Sequence, residues 1–238
     1  MRPKWTIMSK RADFAEIGRK FGIDPVVARV ITNRGICGDD NINMYLNGGA
    51  DLLHDPGLMK DLPEGCRIVM DKLENCSRIR IISDYDVDGV TSNYILLRGL
   101  RKVWAQIHGA RPEECEVVDY DIPHRIHDGY GIKNRLIDAA KADGVDTIIT
   151  CDNGIAAFEQ IKYAKTIGMT VIVTDHHQVP YQENGDGTKT YTLPPADAVI
   201  DNQRVDCQYP FKGLCGAGVA CKFIPVSYTH LRAHETSL

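Results

Sequence analysis

Seven side chains, gathered in three short stretches, have the types and spacing to hold divalent cations. The first stretch is Ser83-Asp84-Tyr85-Asp86-Val87-Asp88-Gly89. On extended chain its three carboxylates would project to one side, and that concentration of negative charge is costly unless a cation neutralises it. The other two are Asp152-Asn153-Gly154 and Asp175-His176-His177. Adjacent imidazoles beside a carboxylate suit a divalent ion, because one histidine can ligate while its neighbour holds or protonates a substrate. Hard carboxylates mixed with one or two imidazoles favour Mn²⁺ or Mg²⁺, and the lack of cysteine ligands argues against structural zinc. Two such ions ~4 Å apart, bridged by a carboxylate, activate water and stabilise the leaving oxygen in phosphoester hydrolysis. Phosphodiester cleavage is the chemistry this donor set fits.

Each stretch taken singly has a plainer meaning. Asp84-x-Asp86-x-Asp88-Gly89 imitates the start of a calcium-binding EF-hand loop, with glycine at the sixth position. That reading fails because the twelfth position, which needs a bidentate Glu, is Ile95, and the preceding segment reads as a strand rather than a helix. A solvated acidic turn is the other plain reading. Asp152-Asn153-Gly154 alone is an ordinary strand-to-helix turn, with Asp or Asn capping a helix that starts near Ile155. Asp175-His176-His177 alone could be a polar loop.

Placement along the chain decides between these readings. From Arg78 the pattern alternates strand, turn and helix. Strands are predicted over Arg78–Ser83, Cys115–Val118, Thr147–Cys151, Thr170–Thr174 and Ala198–Ile200, and helices over Val90–Ile107, Arg135–Ala142 and Ile155–Ile167. Such units predict an α/β fold, a mostly parallel sheet flanked by helices, in which ligands gather beyond the carboxyl ends of the strands. The three stretches each follow a predicted strand, so one site could receive them all. Residues 1–77 read instead as a small helical N-terminal lobe. Asp24 caps and Pro25 opens a helix to Asn33 with an apolar face of Val26, Val27, Val30 and Ile31, and Glu64–Glu74 forms a helix before the first strand. No catalytic constellation is visible in this lobe, which reads as a packing element or a channel wall.

Two further stretches have the residues for phosphate. Ile122-Pro123-His124-Arg125-Ile126-His127-Asp128-Gly129-Tyr130-Gly131 combines an arginine, two histidines and glycines that permit close backbone approach, or is a solvated loop. Phe211-Lys212-Gly213-Leu214-Cys215-Gly216-Ala217-Gly218 turns into a helix; Lys212 and the backbone amides could meet phosphate, or the glycines could serve tight packing alone.

Composition narrows the class. With 28 basic and 32 acidic residues the net charge is −4, so the protein as a whole is not a cationic nucleic-acid binder, and local patches or bound metal must do that work. The eight cysteines are scattered without a Cys-x-x-Cys pair, which suits buried free thiols. No apolar run approaches a membrane span and the start lacks a signal-peptide core, which predicts a cytoplasmic protein.

In order and spacing, Asp84-Tyr-Asp86-Val-Asp88-Gly89-Val-Thr91-Ser92, Asp152-Asn-Gly154-Ile and Asp175-His176-His177 resemble the first three motifs of the DHH phosphoesterase superfamily. Ile-Pro-His-Arg125 with Gly129-Tyr-Gly131, and Tyr209-Pro-Phe-Lys212 with Gly216-Ala-Gly218-Val-Ala, are similar to its RecJ branch. The resemblance spans about residues 5 to 224. It implies a 5′-to-3′ exonuclease specific for single-stranded DNA, using two Mn²⁺ or Mg²⁺ ions in recombination and repair, with a single-strand-binding protein and a helicase as partners. By motif match Asp84, Asp86, Asp88, Asp152 and His176 become metal ligands, with Asp152 the bridge. His177 sits against the scissile phosphate, Asp175 orients a neighbour, and His124, Arg125, Gly129 and Lys212 contact substrate. Two other readings stand beside it: a phosphodiesterase of short oligonucleotides or cyclic dinucleotides, and a non-catalytic nucleic-acid-binding protein.

The family pattern continues to a further metal-binding aspartate, a second domain and an OB-fold, which this chain does not contain. It ends Pro225-Val-Ser-Tyr-Thr-His-Leu-Arg-Ala-His-Glu-Thr-Ser-Leu238, breaking the apolar helix pattern in a way that resembles adapter read-through. Residues 226–238 are therefore expected to be a non-native tail, His230 and His234 to form no metal site, and 78–225 to be a truncated DHH domain whose metal centre is short of a ligand.

Overall fold

The structure is a computed structural model that describes residues 11–235, with Ala50, Pro225 and 228–235 described by backbone alone. Its two compact units are Met1–Leu53 and His54–Leu238.

The first unit is helical: α1 (Phe14–Phe21), α2 (Pro25–Asn33), α3 (Asp39–Asn47) and a 3-10 turn, Ala50–Leu52. Asp13 caps α1 by accepting from the Glu16 amide, and Asp24 caps α2 by accepting from the Val26 amide at 2.8 Å, with Pro25 opening the helix as expected. The predicted apolar face of α2 is wrong in part. Ala28, Ile31 and Thr32 are the buried residues, while Val26, Val27 and Val30 are exposed. At ~100° per residue Val26, Val27 and Val30 lie together on one side of α2, and the opposite side, with Ala28, Ile31 and Thr32, is the one that packs.

The second unit runs α4 (Leu62–Glu74), β1 (Ile79–Ser83), α5 (Val87–His108), β2 (Val118–Asp121), α6 (Asn134–Ala142), β3 (Thr147–Cys151), α7 (Phe158–Thr166) and β4 (Thr170–Asp175). A hairpin of β5 (Tyr181–Glu183) and β6 (Lys189–Tyr191) follows, then β7 (Ala198–Asp201) and α8 (Gly216–Glu235). Five strands form one parallel sheet in the order β2-β1-β3-β4-β7. Their inner members are buried on both faces, which is why they read as unbroken Ile/Val runs. Ile81, Ile149, Ile172 and Ile200 pack with α4, α5 and α8; Ile82, Ile148, Val171 and Val173 pack with α6 and α7.

The predicted lobe boundary at 77/78 moves to 53/54. Leu62, Cys66, Val69 and Leu73 of α4 lie in the same core as Ile200 and Phe223, so α4 belongs to the sheet domain. The second strand is Val118–Asp121 rather than Cys115–Val118. As an edge strand it alternates Val-Asp-Tyr-Asp, and Asp119 is held by the buried Arg80 guanidinium at 2.7 and 2.8 Å. The break expected at Pro225 is also absent: α8 runs through it, and Val226 and Ser227 are buried. The side chains of His230 and His234 and residues 236–238 lie outside the described residues. Among the described residues no helix is long and apolar enough to cross a membrane.

Candidate metal centre

Strand register builds the site. Ser83 pairs with Cys151 and Cys151 with Thr174, so Asp84, Asp152 and Asp175 leave neighbouring strands at one level, and Asp175 pairs with Asp201 of β7. The result is a row of four aspartates along the carboxyl edge. All four are buried, at 2% exposure or less.

The first motif is not extended, as the sequence reading had it. Only Asp84 follows the strand directly; Asp86 is the N-cap of α5, accepting from the Gly89 amide at 2.9 Å, and Asp88 lies in the first helical turn. The carboxylates still converge, because the helix turns back over the strand end. Two sets of ligand atoms lie within 4.8 Å of one another: Asp84, Asp86 and Asp152 in one, Asp152, His176 and His177 in the other. Asp152 is common to both. His176 Nε2 lies 3.0 Å from Asp152 Oδ1 and 3.4 Å from Asp88 Oδ2, so Asp88 lines the same space.

Asp88 has a second job. Its Oδ2 accepts from the Gly216 amide at 2.7 Å and its Oδ1 from the Ala217 amide at 2.8 Å, so the start of α8 docks on the centre. The close approach requires glycine at 216, where a Cβ would lie 2.8 Å from the Asp152 Cβ and Oδ1. These amides therefore bind a carboxylate of the protein rather than a phosphate. Lys212 is exposed, and its ammonium donates to the Cys207 carbonyl at 2.8 Å.

The electrostatics are those of an anionic cage. Burial and the charges of Asp88 and Asp86 push Asp152 up to about 8, and burial with the Asp86 charge raises Asp84. Burial also opposes the Asp88 charge, but the Ala217 and Gly216 amides outweigh it and hold Asp88 below the ordinary carboxylate value. Asp84 Oδ1 is buried without a hydrogen-bond partner, as an atom awaiting a cation would be. Carboxylates plus imidazole at this spacing fit Mn²⁺ or Mg²⁺.

Asp175 belongs to neither ligand set. Its Oδ2 accepts from the Ile155 amide at 2.9 Å, and its Oδ1 accepts from the His177 ring Nδ1 at 2.7 Å and the His176 amide at 2.7 Å. It orients the histidine pair, as the resemblance implied, and its hydrogen bond raises His177 to about 9. The capping expected of Asp152 or Asn153 does not form: α7 starts at Phe158 with Ala157 as N-cap and no side-chain cap, and Asn153 instead donates to the Ile82 and Cys151 carbonyls.

Of the loop 122–131, Arg125 stacks over the Tyr85 ring at 5.6 Å, between the first two aspartates in sequence. His124 lies against His127, and Asp128 ties the loop down by accepting from the His124 amide at 2.7 Å and from both arms of Arg135. Gly129 sits in this loop with φ +71°. A cavity of about 410 Å³ opens beside His177, walled by Ile132, Ile155 and Ala157. Sequence reasoning missed Asp201, pushed up to about 7 mainly by burial, although an aspartate after an apolar run is the signal that marked the others.

Comparison with known proteins agrees with this geometry. The chain is similar to the single-stranded-DNA-specific exonuclease RecJ of Bacillus subtilis, at 34% identity over 220 residues, covering 92% of this chain and 25% of that protein. It is 31% identical to the Escherichia coli RecJ, covering 88% of this chain and 32% of that one. The chain thus spans a quarter to a third of the curated relatives it matches. Among solved structures it resembles an exonuclease RecJ bound to manganese (31% identity, TM-score 0.57, 73% of this chain and 38% of that one). It also resembles RecJ from Thermus thermophilus in complex with Mn²⁺ (26%, TM-score 0.61, 92% and 27%). The family model described as the DHH family, N-terminal domain, matches residues 78–237, and with two thirds of its length so matched the chain belongs to the DHH family.

Proposed function

We propose that this chain forms the metal-binding half of a RecJ-like nuclease that hydrolyses phosphodiester bonds in single-stranded DNA from the 5′ end. The observation that carries the reading is that Asp152 belongs to two ligand sets at once. Asp84, Asp86 and Asp152 would hold one Mn²⁺ or Mg²⁺; Asp152 and His176, beside Asp88, would hold the second, with His177 of that ligand set left to the phosphate. When bound, the cation pair supplies an activated water and stabilises the leaving oxygen. His177, its Nδ1 engaged by Asp175 and its proton retained at neutral pH, offers Nε2–H to a non-bridging phosphate oxygen. Arg125, His124 and Gly129 present the loop surface to the neighbouring phosphates, and the cavity beside His177 leaves room for a flanking nucleotide. Strand polarity, the choice of DNA, a cytoplasmic role in recombination and repair, and work alongside a single-strand-binding protein and a helicase follow the likeness to RecJ.

The test uses the full-length protein with 5′-phosphorylated single-stranded DNA, duplex DNA, dinucleotides and cyclic dinucleotides, with and without Mn²⁺. Mn²⁺-dependent release of nucleotides from the single strand, abolished in a folded Asp152→Ala variant, is expected. Cleavage of dinucleotides alone would replace the exonuclease with a small-substrate phosphodiesterase. DNA binding without Mn²⁺-dependent cleavage would leave a non-catalytic binding protein.

A further inference from the structure

Asp152 is a non-glycine residue with φ +59°. Few L side chains adopt this left-handed region, so the surrounding structure must hold Asp152 there. Two hydrogen bonds do so here. The Asp152 amide donates to the Thr174 carbonyl at 3.1 Å, and its carbonyl accepts from the Tyr130 hydroxyl at 3.3 Å.

The same hydroxyl lies 3.4 Å from both ring nitrogens of His177, with the two rings edge-on at 85° and 6.0 Å. Tyr130 is 50% exposed, and its hydroxyl is nonetheless within reach of both groups. The flanking glycines explain how it reaches inward: φ is +71° at Gly129 and +76° at Gly131, turns that L side chains rarely adopt. Gly131 in turn gives its amide to Asp84. One short loop therefore touches all three strand-end motifs.

We propose that Tyr130 is a positioning residue of this centre, clamping the Asp152 main chain and the His177 imidazole with a single hydroxyl. The proposal rests on the two-metal reading of Asp152 and His177. The hydroxyl lies between the Asp152 carbonyl and the edge of the His177 ring, in reach of both. Both groups are thereby fixed relative to each other without Tyr130 touching a cation.

Tyr130→Phe tests this, because it keeps the ring and removes the hydroxyl. In the 238-residue chain we expect Mn²⁺ affinity, measured by calorimetry, to fall about tenfold, as when a group orienting a ligand is lost. We expect the His177 ring Cε1–Hε1 resonance of the metal-free chain to move, with the melting temperature held close to that of the wild type. Unchanged Mn²⁺ affinity with an unmoved His177 resonance overturns the proposal. So does a large drop in melting temperature, which would make Tyr130 a general stability residue. If the wild-type chain binds no Mn²⁺ while the resonance still moves in Tyr130→Phe, the two-metal reading fails and the clamp stands.

Discussion

Asp152→Asn should stabilise the metal-free chain at mildly alkaline pH while removing its affinity for Mn²⁺. Asp152 is 2% exposed and titrates at about 8 instead of the ordinary 3.8, because burial and the Asp88 and Asp86 charges oppose its ionisation. Unfolding restores the ordinary value. Between about pH 4 and 8 the folded chain holds a proton that the unfolded chain has lost, so stability falls as pH rises, by at most about 1.4 kcal/mol per pH unit. Asp201, raised to about 7, acts in the same direction up to that pH, and His177, raised to about 9, continues the fall above its ordinary 6.5. The centre opens to solvent on one side; half the limiting slope gives about 2 kcal/mol lost between roughly pH 5.5 and 8. Asparagine keeps the shape without the charge, so its curve is flatter and crosses above the wild type near neutrality. Urea midpoints of both chains in EDTA across this range measure the effect, and saturating Mn²⁺ should reverse the order at the alkaline end. A wild-type chain at least as stable at pH 8 as at pH 5.5 in EDTA, or an Asp152→Asn chain weaker than wild type there, would refute the reasoning.

Two other substitutions separate packing from substrate binding. Gly216→Ala forces a methyl against Asp152 and should cost about 1–3 kcal/mol while weakening Mn²⁺ binding, read by thermal melts and calorimetry on the same samples. Arg125→Ala should leave the melting temperature unchanged in the full-length protein and lower the salt slope of single-stranded DNA binding by about one phosphate contact.

The centre was largely legible in the sequence because each motif directly follows an apolar run whose end sets its position. Ser83, Cys151 and Thr174 close those runs, and parallel register brings the next residues side by side. Less legible was anything decided by packing between distant elements. The docking of Gly216 on Asp88 and the membership of α4 in the sheet domain both depend on contacts across more of the chain than a local pattern reports. The hairpin of β5 and β6 was missed because its strands are three residues each and exposed, without the alternation that marks a half-buried strand. Tyr130 carries no signal of its own in the sequence, since the positive φ angles at Gly129 and Gly131 are what turn it toward the centre.

Asp84 and Asp152 stand 152 − 84 = 68 residues apart, and they meet only after α5, β2 and α6 have been folded between them. Parallel pairings of this kind form late, because loop closure must precede any favourable contact. A one-residue slip of β3 would carry Asp152 to the opposite face of the sheet, away from Asp84 and His176. A cation that needs all these ligands therefore binds the native register and rejects the slipped ones, drawing the population toward the correct sheet by mass action. Metal binding would in this way act as a proofreading step on strand alignment.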